Sequence, residues 1–410
     1  EDDSTSFLVQ NKEGARGPPG YGEEEQWSNG EIDGTTMSAI FDSNTGKVVI
    51  VYSDYDNSRY ATAVVGTISG TSVSFGTGVV FNSGWTEGMA IVYDSSNEKV
   101  VVAYIDESYD PSYSLIVKVG TVSGTSISFG SGTALEVVGT VSGTFDSSNN
   151  KVILAFESSG DCSASGYYGC AVVGTVSGTS ISFGTVVEFD DGGGVYHGSV
   201  TFDSNSNKVV IAYDDQDDSN TGRAIVGTVS GTSISFGSPT TFNSGSTSDI
   251  ATAFDTTNNK IVIAYRDIGN SQYGTAIVGT VSGTSISFGS EAVFNSARAD
   301  SMHQIAFIPG YGVLIGFGAN GDGKAIFGTV SGTSISFDTA TIFGDANGYE
   351  GIIIAYDSEN GKAIVIYDDK DDSSNGNART AEIPEFSSLL MPIASVLLIV
   401  GFNYRRRESS

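Results

Sequence analysis

An eleven-residue stretch, GTVSGTSISFG at 120–130, recurs almost letter for letter along this chain, with copies starting at Gly66, Gly120, Gly174, Gly227, Gly279 and Gly328. The spacings are 54, 54, 53, 52 and 49 residues. A period near 50 residues means that each copy belongs to one small unit that cannot bury its own apolar face and must stack on its neighbours. The repeat therefore has to be placed before any local motif.

Each period predicts four strands. The first is short and ends in an aromatic residue followed by Asp, at Asp42, Asp94, Asp146, Asp203, Asp255 and Asp357, with a variant, QIAFIP, around Phe307. The second follows a Ser/Asn turn and reads KVVIVY or a relative, and the third is of the ATAVVGTISG type. Both are apolar on successive residues, as in strands buried on two faces. The fourth alternates, with Ile127 and Phe129 on one face and Ser126 and Ser128 on the other, as in a half-exposed outer strand. Ser-Gly-Thr between the third and fourth strands is a compact hairpin turn. With 53 Gly and only 7 Pro, the composition suits many short strands and tight turns.

Seven such units predict an all-β chain, a seven-bladed β-propeller of four-stranded repeats about 50 residues long. A linear solenoid or a string of small sandwiches is the rival. A closed ring requires that the two ends complete one another. The seventh unit lacks a TSISF strand, whereas PPGYGEEEQWSNG near the start aligns with SVSFGTGVVFNSG, placing Tyr21 on Phe75 and Trp27 on Phe81. Pro18 and Pro19 would then stand on an outermost edge, where Pro is tolerated. The expected organisation is a flexible segment at 1–20, a propeller at 21–383 closed by an N-terminal strand, and a C-terminal segment at 384–410.

The formal charge of −29 excludes phosphate backbones, and so nucleic acid, as a partner. The two cysteines, Cys162 and Cys170, lie eight apart in DCSASGYYGC and are expected to close a disulfide ring, which implies an oxidising compartment. The chain starts with Glu and without a charged-then-apolar leader, so either a signal has been removed or the sequence is a fragment. No N-x-[ST] acceptor is present, and N-glycosylation is not expected.

Residues 386–404, FSSLLMPIASVLLIVGFNY, form an uncharged apolar run followed by Arg405, Arg406 and Arg407. The run is long enough for a transmembrane helix, with the arginines inside and the repeats outside the cell. Pro384, Glu385 and Phe386, the apolar run and the basic end together resemble the archaeal PEF-type C-terminal sorting signal. That resemblance implies an archaeal surface protein whose tail an archaeosortase-type transpeptidase recognises and removes. The repeats also resemble those of predicted surface and phage proteins of marine microbes, which implies no shared activity.

In a propeller the first-to-second and third-to-fourth turns share one face, and here they are nearly uniform. The second-to-third loops and the linkers between units share the other face and vary widely, which makes that face the better candidate for recognition. Asp54 with Asp56, Asp215 with Asp217 and Asp369 with Asp371 recur there as Asp-x-Asp-x-Ser. Hard oxygen ligands on alternate residues could begin a Ca²⁺ site. The alternative is that these residues stabilise turns. Aromatic residues crowd the same face, among them Trp85, Tyr109, Tyr113, Tyr168 and Tyr196, and could stack on sugar rings. The only histidines, His197 and His303, each precede a first strand and are candidates for a ligand or acid/base pair near the channel mouth. No HExxH, GxSxG or phosphate loop supports catalysis. The Asp-box that accompanies propeller sialidases is also missing.

The sequence thus points to a binding or adhesion module on the outer face of a cell, with a glycan, surface polymer or surface protein as ligand and no required cofactor. The alternatives are a structural surface-layer component and an extracellular carbohydrate-active enzyme.

Overall fold

The computed structural model describes residues 20–108, 114–136, 139–158, 162, 168–190, 194–195, 198–345, 351–369 and 374–383. The apolar run at 386–404, Pro384, Glu385, Phe386 and the three terminal arginines lie outside these residues. Among the described residues no helix is long and apolar enough to cross a membrane.

The described strands are all antiparallel and fall into seven four-stranded units. The second strands are Lys47–Asp54, Lys99–Asp106, Lys151–Ser158, Lys208–Asp215, Lys260–Asp267, Gly312–Ala319 and Lys362–Asp369. The third strands are Tyr60–Ser69, Ser114–Ser123, Tyr168–Ser177, Thr221–Ser230, Tyr273–Ser282, Asp322–Ser331 and Asn375–Glu382. Both sets are buried on two faces through their centres, because each sheet is covered by the next unit on either side. The fourth strands, such as Ser126–Phe129, expose Ser126 and Ser128 and bury Ile127.

Where the sequence suggested a loop between the outer strand of one unit and the first strand of the next, four junctions are continuous strands. Glu25–Asp42, Val79–Asp94, Thr240–Asp255 and Ala292–Ile308 each pair with two units in succession. In Val79–Asp94, residues 79–85 pair with Tyr60–Ser69 and residues 86–94 with Lys99–Asp106. Register shifts supply the bend that a turn would otherwise make.

The first strands stack in sequence, and the last of them, Ile352–Asp357, touches both its predecessor Ala292–Ile308 and the start of the ring, Glu25–Asp42. The units therefore close on themselves around a central cavity of 510 Å³ lined by all seven first strands. Small and larger apolar side chains alternate along its wall, and hydroxyls tie neighbouring units together: Val200 N donates to Ser142 Oγ at 3.2 Å and Thr252 N to Ser199 Oγ at 3.1 Å.

The seam uses the N-terminal side of the chain. Gly20 and Tyr21 pair with Glu382 and Ala381, and Glu25 and Gln26 with Ala378 and Asn377. The resulting contacts repeat those at the other junctions. Phe81 packs edge-on against Tyr104 of the following unit at 5.3 Å and against Phe129 at 4.8 Å. Phe343 meets Tyr367 at 5.0 Å and Tyr21 at 6.0 Å, and Trp27 meets Tyr52 at 4.9 Å. Each such ring pair is worth about 0.5–1.5 kcal/mol beyond its buried area.

The uniform motifs are explained by two close approaches. The Gly after the outer aromatic residue in six units, Asp338 replacing it in the sixth, lies against the next unit's Ser-Gly-Thr turn: a Cβ on Gly130 would stand 2.0 Å from the Thr179 carbonyl oxygen, and one on Gly22 would stand 1.9 Å from that of Thr71. The buried Asp ending a first strand folds its own turn. Asp146 Oδ1 accepts from the backbone N of Ser148 and Asn149 at 3.0 Å, and its Oδ2 accepts from Asn149 Nδ2 at 2.8 Å. The QIAFIP variant does without this. Ile308 is buried in place of the Asp, and Tyr311 N donates to the Ile308 carbonyl at 2.9 Å in a turn where Gly310 and Gly312 have φ of 82° and 104°.

Candidate functional site

On the variable face the loops after three second strands share one geometry. In each, the terminal Asp accepts backbone N–H groups of the turn: Asp54 from Asn57, Asp215 from Asp217 and Asp218, and Asp267 from Asn270. Two residues at positive φ follow, Ser58 and Arg59, Ser219 and Asn220, or Ser271 and Gln272. The fifth unit has Gly269 where the others carry the second Asp, yet keeps the turn. The first Asp of Asp-x-Asp-x-Ser thus has a structural role in capping.

Asp215 is also engaged by Arg223, at 2.7 Å from Nη1. Asp217 is exposed, and Asp369 ends the second strand of the seventh unit. These carboxylates belong to different units, and among the described residues no group of three His, Cys, Asp or Glu side chains is placed to hold a metal ion. Asp371 lies outside the described residues, as do Tyr109, Tyr113, Tyr196 and His197. The backbone of His303 runs within Ala292–Ile308, and its side chain is outside the described set. Tyr168 opens its strand opposite Ser158 and is half-buried. Cys162 and Cys170 form a disulfide.

The loop of the first unit stands apart. Tyr55 and Trp85 are 46% and 47% exposed, the two large aromatic side chains left open among the described residues. The Arg59 guanidinium lies between them, 4.8 Å from the Tyr55 ring centre and 4.7 Å from that of Trp85. Asp33 at 3.1 Å and Glu87 at 3.3 Å hold the same Arg59 nitrogen, and Trp85 Nε1 donates to Glu87 at 3.1 Å. Cation–π contact and paired charge thus fix an exposed aromatic platform with carboxylates at its edge. Burial, with the Glu87 charge adding to it, pushes the neighbouring Glu107 carboxyl up.

Deeper in, Glu157, Asp214, Arg266 and Asp368 occupy the same position in four second strands. They face the linkers into the channel strands: Arg266 Nε donates to Ser248 at 2.9 Å and pairs with Asp249 at 2.8 Å, and Asp368 accepts from Gly351 N at 2.8 Å. Burial and the Asp214 charge raise the Glu157 carboxyl to about 7, against the opposing effect of the Val195 N–H. Sequence reading missed this set, because the other units carry Ser53, Ile105 and Gly318 at the position and no recurring residue type marks it.

A second feature was also missed. At the seam between the seventh and first units lies a cleft of 460 Å³, bordered by Trp27, Tyr52 and the Asp54–Asn57 turn. Its floor includes Gly78, which stands where five of the aligned repeats carry Glu24, Val186, Pro239, Glu291 or Ala340 and the second unit carries Gly132.

No family model and no curated protein sequence matches this chain. Solved structures do resemble it. A protein of unknown function from Dyadobacter fermentans is 12% identical over 89% of this chain and 99% of its own, with a TM-score of 0.54. BBS1N, solved in complex with ARL6DN, is 10% identical over 92% of this chain and 100% of its own, with a TM-score of 0.51. Identities this low speak to fold alone. The fold is all-β and propeller-like. A putative oxidoreductase (glucose dehydrogenase) from Thermus thermophilus is 8% identical over 71% and 95% of the two chains, but its TM-score of 0.46 is too low to bear on activity.

Proposed function

We propose that the chain is a seven-bladed propeller displayed on the outer face of an archaeal cell, tethered or processed through its 384–410 tail, and that it binds a glycan at the Tyr55–Arg59–Trp85 platform. One observation carries the binding part: the two exposed aromatic rings lie together on the variable face and are held rigid by one arginine. Rigid rings offer apolar faces to a sugar at small entropic cost. Asp33 and Glu87 at their edge accept hydrogen bonds from hydroxyls, as sugar recognition requires. The tail part is supported by the apolar run and the PEF-like residues before it.

The test is a glycan array probed with the full chain and with Trp85→Ala. The expected result is binding to a defined glycan class that falls at least tenfold in the variant while the melting temperature is unchanged. Equal binding by Trp85→Ala, or no glycan bound by the wild type, rejects the reading. Mass spectrometry of the native protein tests the tail. Loss of residues beyond Phe386 supports processing, and an intact Arg405–Arg406–Arg407 end rejects it.

A further inference from the structure

Five of the seven units have a side chain three positions after the outer aromatic, beside the second strand, and the first and second units have Gly78 and Gly132. In the seventh unit it is Glu24, and the Tyr367 hydroxyl donates to its carboxylate. In the fifth unit Glu291 faces Tyr265. In the first unit the position is Gly78, and a Cβ there would stand 3.4 Å from the Tyr52 hydroxyl oxygen. Gly78 borders the 460 Å³ cleft at the seam.

Tyr52 is only 5% exposed, lines this cleft, and has no hydrogen-bond partner for its hydroxyl among the described residues. The hydroxyl therefore opens into the cleft with its donor and acceptor capacity unused, where a ligand atom can engage it. Trp27, 6% exposed, forms the neighbouring wall.

The polar groups around the cleft favour one ligand chemistry. Three of its donors are turned inward: Gln26 Nε2 donates to the Ser28 carbonyl at 2.9 Å, Ser28 Oγ to the Gly30 carbonyl at 2.8 Å, and Thr62 Oγ1 to the Tyr60 carbonyl at 3.4 Å. Its acceptors are in excess. The Asp54 and Asp56 carboxylates accept backbone N–H groups from Asn57 at 3.2 Å and from Glu31 at 3.1 Å, leaving further lone pairs on both. No Lys, Arg or His is among the described residues that line it. Burial raises the Asp54 carboxyl, and the Asp56 charge raises it further, which a cation between them would relieve.

We infer that the cleft at the seam, where Gly78 leaves the Tyr52 hydroxyl uncovered beside Asp54 and Asp56, is a binding site for an organic ammonium ion of the size of a lysine side chain. The ammonium donates to the two carboxylates and the tyrosine hydroxyl, and its methylenes lie along Trp27 and Tyr52. This site is separate from the Trp85 platform and does not depend on glycan binding there.

The probe is cadaverine, a linear five-carbon diamine, titrated calorimetrically into the full chain at low ionic strength, with glucose and glutarate as neutral and anionic controls. Saturable binding at one site per chain is expected, with neither control binding. Gly78→Val introduces the side chain that Val186 supplies in the third unit, and Asp54→Asn keeps the turn cap while removing the charge. Each is expected to weaken cadaverine at least tenfold, with the thermal melt confirming that the variant is folded. Cadaverine binding that is unsaturable, or equally tight in folded Gly78→Val, reduces the effect to diffuse attraction by the acidic surface and overturns the proposal. Preference for glucose overturns it as well.

Discussion

Arg379 and Glu24, 355 residues apart, join the two ends of the ring: the guanidinium donates to one Glu24 carboxylate oxygen at 2.9 Å from Nη2 and 3.2 Å from Nε. The Tyr367 hydroxyl donates to that same oxygen. The two side chains are 30% and 36% exposed, so the ionic part of the pair is worth about 0–1 kcal/mol. The larger consequence is that it holds Tyr21 and Trp27 in the seam.

Glu24→Ala leaves the buried Tyr367 hydroxyl without its acceptor, and is expected to lower unfolding free energy by about 1–3 kcal/mol. Glu24→Gln keeps an acceptor and is expected to cost less. Deleting residues 1–30 removes the seam altogether and should reduce the urea midpoint far more than either. A truncated chain as stable as the full one would show that the N-terminal strand contributes nothing to closure.

Two glycines of the same repeat should respond unequally to alanine. Gly124 has φ 62° with open space around it, so Gly124→Ala costs only backbone strain, about 1 kcal/mol. Gly130 has a backbone oxygen 2.0 Å from any added Cβ, so Gly130→Ala forces two units apart and should cost about 1–3 kcal/mol or more. Chemical denaturation of the two single variants gives the order directly. The reverse order would contradict the packing described.

Glu157 makes stability depend on pH. Its carboxyl is raised from 4.5 to about 7 in the folded chain, so folding favours the protonated form. The stability this contributes is complete below about 4.5 and is lost as pH rises through about 7. In melts between pH 4.5 and 7.5, Glu157→Gln should show a smaller loss with rising pH than the wild type. Parallel curves would mean that Glu157 does not titrate in this range.

The Cys162–Cys170 bridge closes a ring of sequence separation 8. Loop-closure entropy for a ring this short sets its contribution at about 2.5 kcal/mol. Reduction is therefore expected to lower the melting temperature, and alkylation of the unreduced, unfolded chain should label neither cysteine. Two labelled thiols without reductant would show the bridge is not formed.

Much of the fold was legible because the repeat states it many times over. Asp146, Gly130 and Phe129 each recur at one position in nearly every unit, and each has a single geometric reason: a turn cap, a close approach and a ring junction. The Asp-x-Asp-x-Ser pattern was ambiguous for the opposite reason. Capping and metal binding ask for the same oxygens, and only the backbone partners of Asp54 and Asp215 give the first aspartate its place.

The sequence by itself determined the period, the order of strands within a unit, and which positions face inward, because strand burial alternates with fixed geometry and the repeat averages out local accident. Only the tertiary structure decided what lies between units. Arg59 meets Asp33, Glu87, Tyr55 and Trp85 from separate segments, and Gly78 shares a cleft with Tyr52 and with Trp27 of the closing N-terminal strand. Such contacts depend on where closure places each unit, which no local pattern encodes.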